Sequence, residues 1–94
     1  MKKVSQTRQF FRDVKRMRKR GKNLPKLQGI VKLLAEGASL PANHRDHPLT
    51  GPWEASRDCH IEADWLLIYT ADKESLRLER TGMHSDLFKR NVHG

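Results

Sequence analysis

Cysteine occurs once in these 94 residues, at Cys59, so no intramolecular disulfide can form. A fold that does without disulfides suits a reducing compartment, and a cytoplasmic location is the expectation. No apolar run of signal-peptide length follows the basic N-terminus, and no stretch approaches the roughly 18 apolar residues of a membrane span, so no membrane partner is expected. Several chemical signatures are also missing. There is no Cys-x-x-Cys pair, no His-Glu-x-x-His, no Gly-x-Ser-x-Gly elbow and no Gly-rich phosphate loop. No cofactor and no metal is expected on that ground, although His44-x-x-His47 and His60-x-x-x-Asp64, with Cys59 nearby, keep a zinc-supported site as the rival chemistry. Acid is scarce at one end only. Residues 1–26 hold eleven Lys/Arg against the single acid Asp13, a net of +10, whereas residues 27–94 carry a net of −2. Such asymmetry points to a polyanion or an acidic protein as partner.

The length predicts one small domain over residues 1–94 with a modest core. Lys2–Gln6 suits a short edge strand, and Thr7 is placed to cap a helix from Arg8 to Arg20. Within it Phe10, Phe11, Val14 and Met17 form a narrow apolar stripe, which leaves Arg12, Lys15, Arg16, Lys19 and Arg20 for solvent or a partner. Asn23 is placed to cap a second helix in which Leu27, Ile30, Val31 and Leu34 recur at helical spacing until Gly37. A proline-rich loop from Ala38 to Pro52 carries His44 and His47. Strands are then predicted from Trp53 to Ile61, from Trp65 to Thr70 and from Leu76 to Thr81, with short connections that make an antiparallel meander. The tail from His84 suits one helical turn. The expected class is α+β, with two N-terminal helices packed on a small antiparallel β-sheet in the order β-α-α-β-β-β.

Between Asp46 and Trp65 lie two histidines, four further acids and two tryptophans, and His84 follows later, a density of proton-transfer groups that suits acid–base chemistry. Cleavage of an RNA phosphodiester needs one group to take a proton from the 2′-hydroxyl and another to give one to the leaving 5′-oxygen. Histidine, with an unperturbed pKa near 6.5, serves both ends without a metal. His47, His60 and His84 come from a loop, a strand and a strand end and can converge. Asp64 or Asp58 can orient an imidazole, and Arg45, Arg57, Arg80 or Lys89 can hold the phosphate. Phe88 or Trp65 can stack on a base. Each also has a plain structural use: Asp58 as a cross-strand ion pair, Asp64 as a turn residue, Trp65 as core, and His44 and His93 as surface residues. A basic module that binds RNA or the ribosome without cutting it is the alternative function.

Three segments together resemble a known family. Asp46-His47-Pro48-Leu49-Thr50-Gly51-Pro52-Trp53, Arg57-Asp58-Cys59-His60-Ile61-Glu62-Ala63-Asp64-Trp65-Leu66-Leu67-Ile68-Tyr69 and Glu79-Arg80-Thr81-Gly82-Met83-His84-Ser85-Asp86-Leu87-Phe88 are similar, in order and spacing, to the YafQ branch of the RelE/ParE-type toxins. The resemblance implies a toxin of a type II toxin–antitoxin system with the RelE-like fold. It implies cleavage of mRNA on the ribosome, and a small antitoxin partner that also binds DNA. By the same resemblance His47, His60, Asp64 and His84 match catalytic positions and Asp58 and Phe88 assisting ones, with His84 as general acid, His47 as base, and His60 and Asp64 orienting groups. Family members often have proline before the Asp-Trp pair and a small hydroxyl residue before the last histidine; this chain has Ala63 and Met83 there. Arg16, Lys19 and Arg20 on the basic helix are the expected contacts to ribosomal RNA.

Overall fold

A computed structural model describes residues 1–88. Strand β1 (Lys3–Gln6) leads into helix α1 (Arg8–Lys19), and helix α2 (Leu24–Ala35) returns beside it. After a loop come the two-residue strand β2 (His47–Pro48), β3 (Arg57–Glu62), β4 (Trp65–Ala71), β5 (Ser75–Met83) and a single helical turn, α3 (His84–Leu87). The class is α+β, as expected.

The sheet differs from the all-antiparallel expectation. It has five strands in the order β1-β5-β4-β3-β2, and β1 runs parallel to β5, so the sheet is mixed. The helical hairpin between β1 and the meander supplies the crossover that parallel pairing requires. Strand β2 is the fifth strand, and its two residues, one of them proline, are too short to give a periodic signal. β3 begins at Arg57 rather than Trp53, because Gly51–Trp53 form a 3₁₀ turn entered through Gly51 at φ +67°.

One face of the sheet carries the core. Cys59 and Ile61 of β3, Trp65, Leu67 and Tyr69 of β4, and Leu76 and Leu78 of β5 pack against Phe10 and Met17 of α1 and Leu27, Ile30 and Leu34 of α2. Thr7 caps α1 as predicted, its hydroxyl accepting the Phe10 N–H at 2.9 Å. Asn23 stands at the start of α2, but its side chain makes no capping bond. The stripe on α1 is Phe10, Asp13 and Met17, with Val14 half-buried; Phe11 faces out at 51% exposure.

Beyond Leu78 the free edge of β5 is covered by α1. The Thr7 N–H donates to Leu78 O at 3.1 Å, the Thr7 hydroxyl donates to Glu79 O at 2.8 Å, and the Thr81 N–H donates to Asp13 Oδ2 at 3.1 Å. A register shift against β4 at this point leaves Glu79 as an extra residue on β5. The other face of the sheet is free of helices α1 and α2 and holds Ser56, Asp58 and His60. No helix among the described residues is long and apolar enough to cross a membrane.

Candidate active site

The histidines are positioned by three short-range devices. β2 pairs with β3 so that His47 lies opposite Asp58. His47 is exposed, and its Nδ1 donates to Arg45 O at 2.7 Å. Since a carbonyl only accepts, Nδ1 carries the proton and Nε2 is left to work. Arg45 adopts a left-handed backbone, φ +48°, which turns its carbonyl toward this ring. Asp46 anchors the loop, accepting from the Tyr69 hydroxyl at 2.7 Å and from Arg57 Nε at 3.2 Å. Burial, followed by that hydrogen bond, pushes the Tyr69 hydroxyl up from its ordinary range.

His60 sits two residues along β3 from Asp58, and its Nδ1 donates to Ala63 O at 3.1 Å, so its Nε2 is also free. The register slips between His60 and Glu62, a bulge of the kind that re-aims a side chain. His44, expected at the surface, is instead half-buried, with Nδ1 donating to His60 O at 2.6 Å. A cleft of about 300 Å³ opens here between His44, Arg45, His60 and Glu62. A larger groove of about 430 Å³, lined by Val4, Phe10, Val14, Leu27 and Val31, touches none of these residues.

Asp64 lies exposed in the turn between β3 and β4, and its carbonyl accepts the His84 N–H at 3.1 Å. That bond fixes the start of α3 to the turn and brings Asp64 and His84 together. The ring of His84 packs against Phe88, centroids 5.2 Å apart.

Asp58 stands at the centre. It is only 4% exposed, its Oδ2 lies 3.8 Å from His47 Nε2, and its Oδ1 has no hydrogen-bond partner. Burial raises its carboxyl above the usual range, and the charges of His47, His60 and His84 oppose that rise. His47 stands opposite Asp58 in the sheet, and His60 follows Asp58 two residues along the same strand.

Other expected site residues are engaged elsewhere. Trp65 cannot stack on a base: it is fully buried on the helix-covered face, and its indole N–H donates to Thr81 Oγ1 at 2.9 Å. Arg80 is committed to buried Asp13, donating from Nε at 2.8 Å and from Nη2 at 3.2 Å, which makes it a poor phosphate ligand. Arg57 is bonded to Asp46. Arg20 makes two bonds to Asp86, at 2.7 and 3.2 Å, and Arg16 lies 4.0 Å from the same carboxylate. Lys19 is exposed with no ion pair among the described residues. Lys89 and His93 lie outside the described residues. Among those described, no group of three or more His, Cys, Asp and Glu side chains is arranged to hold a metal. Cys59 is buried, which raises its thiol above the ordinary range, so it is core rather than nucleophile.

Comparison with known proteins places this geometry. A family model described as the bacterial toxin of type II toxin–antitoxin system, YafQ, matches residues 2–89. The mRNA interferase toxin YafQ of Escherichia coli K12 is 47% identical over 81 residues, covering 85% of this chain and 88% of that protein. YafQ in the E. coli DinJ–YafQ toxin–antitoxin complex superposes with a TM-score of 0.87 at 43% identity, over 93% of this chain and 97% of that one. A metal-bound toxin from Helicobacter pylori superposes equally, TM-score 0.87 at 37% identity, over 94% of this chain and all of that one. With the matched region taking in both helices, the whole sheet and His47, His60 and His84, the chain belongs to the YafQ family of type II toxin–antitoxin toxins.

Proposed function

We propose that this chain is a ribosome-dependent mRNA endoribonuclease whose acid–base set is His47, His60, Asp64 and His84. The observation that carries it is buried Asp58, with one oxygen unpartnered, the other 3.8 Å from His47 Nε2, and His60 two residues along the same strand. The E. coli relative is an mRNA interferase, which supports the substrate class.

In this reading neutral His47 takes the 2′-hydroxyl proton at Nε2, its Nδ1 being held by Arg45 O. The 2′-oxygen attacks phosphorus, the bond to the 5′-oxygen breaks, and the imidazolium of His84 protonates that oxygen. The products are a 2′,3′-cyclic phosphate and a 5′-hydroxyl. Each proton transfer contributes on the order of 10²–10⁴ in rate. Asp58 stabilises the imidazolium formed at His47, and His60, as an imidazolium, offers its Nε2–H to the phosphorane charge. Arg45, exposed and without an ion pair among the described residues, is the available cation for the phosphate. Phe88 is the available aromatic face for a base. The exposed cations of α1, among them Arg12, Lys15 and Lys19, face ribosomal RNA. A cognate antitoxin with an acidic or amphipathic segment masks the protein in the cell, as DinJ pairs with YafQ in E. coli.

The test is cleavage of a defined mRNA on programmed ribosomes, with wild type, His84→Ala and EDTA-treated protein in parallel. Cuts by wild type with and without EDTA, none by the variant, and cyclic or 3′-phosphate ends are expected. Loss of cutting on EDTA treatment, restored by metal, would replace this mechanism with a metal-supported one. Ribosome binding without any cut would favour a non-catalytic module.

A further inference from the structure

We propose that Asp86 is a positioning residue for His84, clamped by Arg20 and admitted by the missing side chain at Gly82. The inference rests on the reading of His84 as proton donor, and it adds a device that spans the whole fold.

α3 is one turn long, and a single turn does not hold itself together in water. Something outside it must fix the imidazole it presents. One carboxylate collects the ties. Asp86 Oδ2 accepts the Met83 N–H at 2.9 Å, closing the backbone just before His84. The same oxygen takes Arg20 Nη1 at 2.7 Å, and Oδ1 takes Nη2 at 3.2 Å. Arg20 is the C-cap of α1, so the turn is fastened to the longer and better packed helix. An exposed ion pair alone holds little. Here the guanidinium grips in two places, the Asp86 side chain is only 15% exposed, and a backbone N–H shares the acceptor. The Arg20 bond is the chief cause that holds the Asp86 carboxyl below its ordinary range.

Gly82 supplies the room. A Cβ there would stand 3.2 Å from Asp86 Cβ, 3.3 Å from Asp86 Oδ2 and 3.4 Å from a Leu87 methyl. Gly82 pairs with Leu66, which in turn pairs with His60, so α3 folds back over the row of the sheet that carries His60. The His84 N–H is bonded to Asp64 O and the preceding Met83 N–H to Asp86 Oδ2, so two successive backbone ties fix the start of the turn that presents the histidine. Displacement of a catalytic group by about 1 Å can lower a rate on the order of 100-fold.

The experiment is single-turnover cleavage on programmed ribosomes by full-length Asp86→Ala, Asp86→Asn, Arg20→Lys and Gly82→Ala, with His84 ring C–H shifts followed by NMR at fixed pH. Asp86→Ala is expected to lower the maximal rate on the order of 10-fold without weakening half-saturation by ribosomes. Asp86→Asn, which keeps the Met83 bond, should fall between it and wild type, and Arg20→Lys, which keeps the charge but loses the two-pronged grip, should also fall between Asp86→Ala and wild type. Placed on His84→Ala, Asp86→Ala should lower the rate no further. The His84 ring signals should move in Asp86→Ala and Gly82→Ala and stay put in Lys19→Ala. Wild-type rate in Asp86→Ala, or a loss confined to half-saturation, overturns the proposal. If Asp86→Ala does not fold, Asp86→Asn and the ring signals decide it. If His84→Ala itself cuts normally, the proton-donor reading falls, while unmoved ring signals would separately remove the clamp.

Discussion

Two buried aspartates sit in different parts of this molecule and are treated in opposite ways. Asp13, between α1 and the edge of β5, is fully enclosed and fully bonded. It accepts from Gln9 Nε2 at 3.0 Å, twice from Arg80, and from the Thr81 N–H. Asp58, on the face that α1 and α2 leave open, is nearly as buried, yet Oδ1 has no partner and Oδ2 meets the His47 ring at 3.8 Å. A carboxylate removed from water is tolerated when donors replace the water, and is costly otherwise. The first site holds the fold together; in the proposed mechanism the second faces a charge that changes during the reaction. The contrast separates stability from function within one sheet.

The largest effect should come from breaking the holding site. Asp13→Ala strands a guanidinium whose side chain is 23% exposed and leaves the Thr81 N–H without its acceptor. Removal of one partner from a buried pair typically costs about 3–5 kcal/mol. A urea titration of Asp13→Ala should show an unfolding free energy lowered by that much, with activity falling only because the fold does. Asp58→Asn should do the reverse. Stability at neutral pH should hold or rise, by about 1 kcal/mol, because a poorly solvated charge is removed. Cleavage by the folded variant should drop on the order of 10-fold or more. If both variants lose stability alike, the contrast is wrong.

pH sharpens the same comparison. The folded Asp58 carboxyl titrates above 3.8, its unfolded reference, chiefly because it is buried. In the window just above pH 3.8 the folded chain therefore holds a proton that the unfolded chain has released, and stability falls as pH rises through it. Asp58→Asn lacks this slope. Its advantage over wild type should be absent below pH 3.8 and reach full size once Asp58 is ionised in the fold. Asp86, depressed by Arg20, slopes the other way, its stabilisation being lost as pH falls below 3.8. Parallel stability–pH curves for Asp58→Asn and wild type would count against the buried charge.

Much of this arrangement was legible in the sequence, because helix and strand periodicities report which side of an element is covered. α1, α2 and the run of β4 follow from local pattern, and the grouping of His47, His60 and His84 into one set rests on the family resemblance. What was not legible is long-range pairing. Four residues of β1 do not say that they will lie parallel to β5, and Arg20 does not announce Asp86, 66 residues away. Two misassignments did have a signal. Phe10, Asp13 and Met17 stand at i, i+3 and i+7, so the lone acid of the first quarter lies on the buried stripe in place of Phe11. Trp65 alternates in phase with Leu67 and Tyr69 and so belongs with the core.

The smallest effect should come from a cation of α1 that touches neither aspartate. Arg16 lies 3.9 Å from Asp13 and 4.0 Å from Asp86, and Arg20 is bonded to Asp86, so both report on more than RNA. Lys19 is exposed and free of ion pairs among the described residues, which makes it the cleaner probe. Lys19→Ala should leave the unfolding free energy within about 0.5 kcal/mol of wild type, as surface substitutions usually do. At saturating ribosomes its cleavage rate should not change. What should change is the slope of log affinity against log salt, by about 0.7–0.9 if the lysine displaces one counterion from RNA phosphate. An unaltered slope would turn this face of α1 away from RNA and leave its charge to the antitoxin. A slope change accompanied by a lower saturating rate would mean that the helix does more than bind, and that the division between a holding side and a reacting side does not extend to α1.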